Sequence, residues 1–193
     1  MTQISMPPAL HDVLGKYQSR ASLFLIGAVT VIAMIATASS LADIPLWRGA
    51  LAALLIADIA AGSVANLTEG TNDHYVSRPR SRWIFLAVHV HLPIVALLLG
   101  APVMPALIAW AATIAAGSIV NLLAGRASQR VAAGGAFAAI VCLVLMLPEQ
   151  RPEFLVVSVL FAFKVVFAFA VDHNAIGHRA VSESADLRQG SDA

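Results

Sequence analysis

Four ionisable side chains, Asp58, His89, His91 and Lys164, fall inside runs of sequence that are otherwise apolar enough to cross a membrane. A charge carried to the bilayer centre costs at least ~2.5 kcal/mol on insertion scales, so such residues are kept where they pair or do work. Asp58 lies eight residues before Asn66, Lys164 eight before Asp172, and His89 seven after Arg82. At about 1.5 Å of rise per residue, these spacings put the groups at one depth, ~10–12 Å inside one face. A carboxylate, an ammonium and imidazoles at one depth can pair, relay a proton, hold an anion or offer metal ligands.

Asp58 and Lys164 are expected to meet, because pairing is the cheapest way to keep both in hydrocarbon. His89 and His91 are two residues apart, about 200° around a regular helix, so both cannot face one site. Arg82, Phe85 and His89 share a stripe, which turns His89 inward. His91 is expected to bond a neighbouring helix, with Pro93 as the one residue able to distort the span. The last apolar run ends in Asp172, His173 and Asn174, with His178 beyond. His89, His91, His173 and His178 could ligate a metal, although solvated helix-end residues are the simpler reading of the last two. No cofactor is named by the sequence.

The stretch from Thr68 to Arg82 is dense in hydrogen-bonding groups, including His74 and Tyr75. Its arginines, Arg78, Arg80 and Arg82, suit an anionic headgroup or phosphate. They are equally the basic loop that borders an anionic membrane surface.

The elements that hold these residues follow from composition. Of 193 residues, 59% are hydrophobic and 12% charged, against about 25% charged in a soluble domain. Six stretches approach the ~20 residues a span requires. They are Ala21–Ala42, Leu46–Leu67, Trp83–Leu99, Pro102–Leu123, Val131–Leu147 and Phe154–Val171. The expected fold is an all-α bundle of six transmembrane helices (residues 21–173). A segment of residues 1–20 precedes it, with an interfacial helix over Pro8–Tyr17, and a polar tail of residues 174–193 follows. Cys142, the sole cysteine, sits in a span as an inert buried thiol.

Lys16, Arg20, Arg78, Arg80, Arg82, Arg126, Arg130, Arg179 and Arg188 fall on one side of this topology; only Arg48 and Arg151 fall on the other. The asymmetry places both termini in the cytoplasm, with the protein in the plasma (inner) membrane.

The second and fourth spans share a run. Ala60–Leu67 matches Ala115–Leu122 at six of eight positions, including Gly62 with Gly117 and Asn66 with Asn121. Stepping back eight residues from each asparagine gives Asp58 and Thr113. Lys164, Ala168 and Asp172 echo the pattern of polar, small and polar residues every four positions, which share one helix face. The expectation is a set of repeated hairpins around a polar centre, as in many transporters.

The leading functional reading is a small transporter or permeation unit for an anion or small solute, with proton coupling as an option. Its cytoplasm-facing pocket would be lined by Asp58, Asn66, His89, Asn121, Lys164 and Asp172. The alternative is a membrane-embedded enzyme acting on a lipid or polyprenyl headgroup, with metal dependence as an option and His74, His89 or His173 as acid, base or ligand. A third reading is a non-catalytic subunit whose Gly/Ala faces dock a partner chain or a second copy. The bilayer is the expected partner, and nucleic acid is not. In a Cys142→Ala background, external thiol reagents should label cysteines near Ala101 and Gln150 but not near Ser77 or Ser184. The reverse pattern would invert the assigned orientation.

Overall fold

The computed structural model describes residues 3–148 and 151–174. The chain begins with β1 (Gln3–Ser5), a single 3-10 turn over Pro8–Leu10, α1 (His11–Leu14) and β2 (Tyr17–Ser19). Then follow α2 (Arg20–Ala42), α3 (Leu46–Ala65), α4 (Glu69–Val76), α5 (Pro79–Val88), α6 (His91–Leu99), α7 (Val103–Leu122), α8 (Gln129–Met146) and α9 (Pro152–Ala162). The last helix continues as a π-helix over Phe163–Phe169. With α5 and α6 as one broken span, six helical segments among the described residues are long and apolar enough to cross a membrane. Apolar runs of this length become helices because a helix satisfies every backbone N–H and C=O within itself, and hydrocarbon offers no other partner. Prolines sit at the starts: Pro45 before α3, Pro102 before α7, and Pro152 opening α9.

Phe24, Ile35, Leu46 and Met146 stand fully outward, as a lipid-facing surface permits. Cys142 is also on an outward face, so it is a lipid-exposed thiol and not a buried one. α8 buries Gln129, Ala133, Ile140 and Val144 instead.

The last span runs through the middle of the bundle. Over its apolar window 56% of residues are buried, against 17% for the first span. It packs on α2, α3, α6, α7 and α8. Two glycines admit it. A Cβ on Gly62 would collide with the end of the Lys164 side chain, and one on Gly117 would stand 3.0 Å from Val165 and 3.3 Å from Leu86. The second and fourth spans thus use the same Ala-Ala-Gly-Ser run to grip successive residues of one helix, as small residues do wherever membrane helices approach closely.

Where this helix ends, its unpaired carbonyls are met by side chains from several elements. Arg82 donates to the carbonyls of Phe169 (3.3 Å) and Ala170 (2.7 Å), and Gln129 donates to Ala170 (2.8 Å) and Val120 (3.2 Å). Asn72 donates to Val171 at 3.0 Å. A buried guanidinium also suits the negative end of a helix dipole.

The N-terminal segment is not one interfacial helix over Pro8–Tyr17. Gly15, at φ 68°, stops α1 after a single turn, and β2 returns antiparallel to β1, pairing Ile4 with Gln18. The tail from residue 175 lies outside the described residues.

The glycine contacts make Gly62→Val a test of the packing. Overpacking at a filled site costs about 1–3 kcal/mol, read as a lower melting temperature in detergent. Gly134→Ala, with nothing within 4 Å of the new methyl, should be neutral or stabilise by up to about 1 kcal/mol. Equal behaviour of the two variants would mean that the last span does not seat on Gly62.

Candidate functional site

The third span breaks in its middle, and the break builds the site. Pro93 has no N–H to offer the His89 carbonyl one turn earlier. That carbonyl accepts instead from the Trp110 indole at 2.8 Å. His89 leaves helical geometry (ψ 64°) and Val90 follows at ψ 15°. The rotation brings His91 to the same side as His89, with ring centroids 4.8 Å apart. His91 therefore shares the side of His89 and still reaches a neighbouring helix, α3. Its Nε2 lies 3.7 Å from Asp58 Oδ2.

Lys164 donates to Asp58 Oδ2 at 2.6 Å and lies 3.3 Å from the Asp58 backbone carbonyl. The lysine side chain is 3% exposed and the aspartate 31%. Lys164 reaches Asp58 over Gly62, whose missing side chain leaves room for the aliphatic stem. His89 Nδ1 donates to the Phe85 carbonyl at 2.6 Å. Phe85 in turn stacks between His89 and Phe169, with centroids 3.6 Å away on each side.

These groups line a cavity of about 350 Å³. On one side α3 presents Asp58, Gly62 and Asn66. On the other, α5 presents Ser81, Ile84, Phe85 and Val88, and His89, His91, Lys164 and Tyr75 close the inner end. The cavity exists because α3 packs against α6 but barely touches α5. The broken span diverges below the break and leaves a lateral gap. Ile84 and Val88, on its rim, are more than half exposed on the lipid side. Asp12 and Val13 of α1 border it at the end of the bundle that carries the termini. No lining residue comes from the short turns at the opposite end.

α1 is held in place by two residues of α4. The Tyr75 hydroxyl donates to the Asp12 carbonyl at 2.8 Å, and His74 lies 3.2 Å from the Asp12 carboxylate. Burial, with the nearby Asp12 carboxylate, pushes the Tyr75 phenol up to about 12, so it remains a neutral donor.

Several polar atoms around the cavity lack partners. His89 Nε2, His91 Nδ1 and Asn66 Nδ2 are buried without a hydrogen bond among the described residues. Buried polar groups are almost always paired, so three orphans around one cavity mark where a ligand, ion or water completes the structure.

The remaining residues singled out from sequence are elsewhere. Asn121 accepts from Arg82 Nε at 2.7 Å, so both belong to the collar that ends the last span; Arg82 is buried and is not an open anion contact. Arg78 lies against the His74 ring at 2.6–3.0 Å, and Arg80 is exposed. The Asp172 carboxylate accepts from the Asn174 backbone at 3.0 Å as a turn residue. His173 donates to the Phe167 carbonyl at 3.0 Å, and burial pushes its imidazole below the ordinary range. His178 lies outside the described residues. Asp12 was not foreseen, because nothing in a polar leader marks it as reaching a membrane cavity.

No protein family, curated protein or solved structure compared with the chain matches it. The fold and site define a bundle of six helical segments long and apolar enough to span a membrane, with a cavity at one end whose largely apolar lining carries Asp58, His89, His91 and Lys164.

The ion pair makes Asp58 and Lys164 interdependent. Asp58→Asn or Lys164→Met strands a charge, at a cost of about 3–5 kcal/mol for a buried pair. The lower end applies because Asp58 keeps a third of its exposure. The double variant should melt above at least one of the singles in a thermal-shift cycle. Strictly additive losses would mean the two residues act separately.

Proposed function

We propose that this protein is a membrane-embedded enzyme acting on the polar headgroup of an amphiphile that enters sideways from the bilayer. The observation that carries this reading is the cavity: apolar Ile84 and Val88 on its outer rim, and a carboxylate, an ammonium and two imidazoles at its inner end. Such a gradient fits a molecule with a hydrocarbon tail and an oxygen-rich head. Lys164 and the free amide of Asn66 are donors, which favours an anionic head. Asp58 or an imidazole can take a proton from a water or hydroxyl nucleophile, a step typically contributing 10²–10⁴-fold. The lysine-and-arginine asymmetry supports a cavity on the cytoplasmic side of the plasma membrane.

Transport of an anion or small solute is the second reading. It is favoured by the two helix irregularities beside the cavity, the break at His89–Val90 and the π-helix around Lys164. Discontinuous helices at mid-membrane are a transporter feature, and π-turns recur at functional sites. A cavity confined to one end of the bundle fits this reading less well.

The two separate in one experiment. Protein in nanodiscs is incubated with a total lipid extract and the lipids are followed by mass spectrometry. The enzyme reading expects one lipid class to convert, with the rate falling about 100-fold or more in Asp58→Asn and His91→Ala. No conversion, together with anion flux in proteoliposomes that is lost in the same variants, would replace it with transport.

A further inference from the structure

We propose that Asp58, His89 and His91 form a binding site for a divalent first-row transition-metal ion, with its open coordination positions facing the cavity. Each residue offers one ligand atom, and these atoms lie within 4.8 Å of one another. Around a tetrahedral ion with bonds of ~2.0–2.2 Å, neighbouring ligand atoms stand roughly 3.4 Å apart. A bound ion would draw the three ligand atoms together by up to about 1.4 Å.

A second observation points the same way. His89 is 95% buried by residue (5% exposed), and its Nδ1 proton is committed to the Phe85 carbonyl. The lone pair of Nε2 is therefore turned inward, and it finds no donor among the described residues. A ring nitrogen bonded to a backbone carbonyl, with the other left bare, is the outer-shell arrangement of metal-binding histidine. His91 turns Nε2 toward Asp58 Oδ2 at 3.7 Å, and its Nδ1 is buried without a hydrogen bond among the described residues. On an unbroken helix the two rings would point nearly opposite ways and could not chelate. The break caused by Pro93 is what makes a two-residue spacing workable.

Two imidazole nitrogens and one carboxylate oxygen select borderline ions such as Zn²⁺, Co²⁺ or Fe²⁺ over Mg²⁺ and Ca²⁺. Three protein ligands leave room for water or a headgroup oxygen. Lys164 is the competitor, because its ammonium and the ion seek the same Asp58 oxygen, 2.6 Å from Nζ. The site stands on its coordination geometry, whether the cavity serves catalysis or passage of a solute.

Tag-free full-length protein in detergent, stripped with a chelator, is titrated with Co²⁺ and Zn²⁺. Calorimetry, cobalt absorption and metal-dependent melting are followed. The expected result is one ion per chain, a rise in melting temperature, and affinity weakened about tenfold or more in Asp58→Asn, His89→Gln and His91→Gln. Lys164→Met should bind at least as tightly as the unmodified chain, and His74→Gln should bind equally. Should the glutamine variants not fold, His91→Cys keeps a ligand and should add a thiolate-to-cobalt charge-transfer band. No metal-dependent melting in the unmodified chain, unchanged affinity in the glutamine variants, or an unaltered cobalt spectrum in His91→Cys would each overturn the site. Turnover is not a readout, so the site and the enzyme reading can fail separately.

Discussion

A lysine on the central helix of a membrane bundle must meet its counter-charge at its own depth. Water cannot reach it freely, and an unpaired ammonium there costs several kcal/mol. Lys164 is on the most buried span and its partner is Asp58, 2.6 Å away. Much of the inner architecture follows from that meeting. Gly62 lies one turn from Asp58 because any side chain there would occupy the path of the lysine stem. The last span widens into a π-helix from Phe163 to Phe169, the stretch that carries Lys164. The matching glycine of the fourth span, Gly117, takes the adjacent residue, Val165. One helix is thus fixed in rotation by an ion pair on one side and a close contact on the other.

The same pair explains why a cavity exists. Asp58 can face Lys164 only if α3 turns its polar stripe inward. On the terminal side of the break, α5 leans on α4 and α7 and leaves a cavity between itself and that stripe. The gap is closed inside by the aromatic ladder of His89, Phe85 and Phe169, and bordered by α1, which Tyr75 and His74 hold. A surface α-helix of one turn has little stability of its own, and α1 keeps its place through those two contacts. This makes the N-terminal segment part of the cavity's border, although it lies outside the six membrane-spanning segments.

Much of this was legible in the sequence. Six spans could be placed to within a few residues because hydrocarbon imposes length and polarity directly. The meeting of Asp58 and Lys164 followed from equal depth and opposite charge. What could not be read was neighbourhood. Hydropathy cannot distinguish a helix facing lipid from one facing protein, since both surroundings are apolar. Hence Cys142 was placed inside when it faces out, and nothing marked the last span as central. Arg82 read as a basic loop residue because charge counting assigns it to a span end. Only the packed structure reveals carbonyls from Phe169 and Ala170 within its reach. Asn121 matched Asn66 in sequence, yet one caps that arginine and the other lines the cavity, because their helices stand on different sides of the last span.

The histidines carry the most instructive departure. A two-residue spacing on a regular helix separates their rings, and that geometry argued against a shared site. Pro93 removes one hydrogen bond and Trp110 replaces it, so the helix can break without stranding the His89 carbonyl. An interruption in hydrocarbon is costly unless every freed group is met. Here the backbone is satisfied while the two imidazoles are left with bare nitrogens. Had the break served packing alone, the rings would be expected to find partners too, as buried polar groups generally do. Satisfied backbone beside imidazole nitrogens that are unpaired among the described residues is the arrangement that the proposed metal site would use.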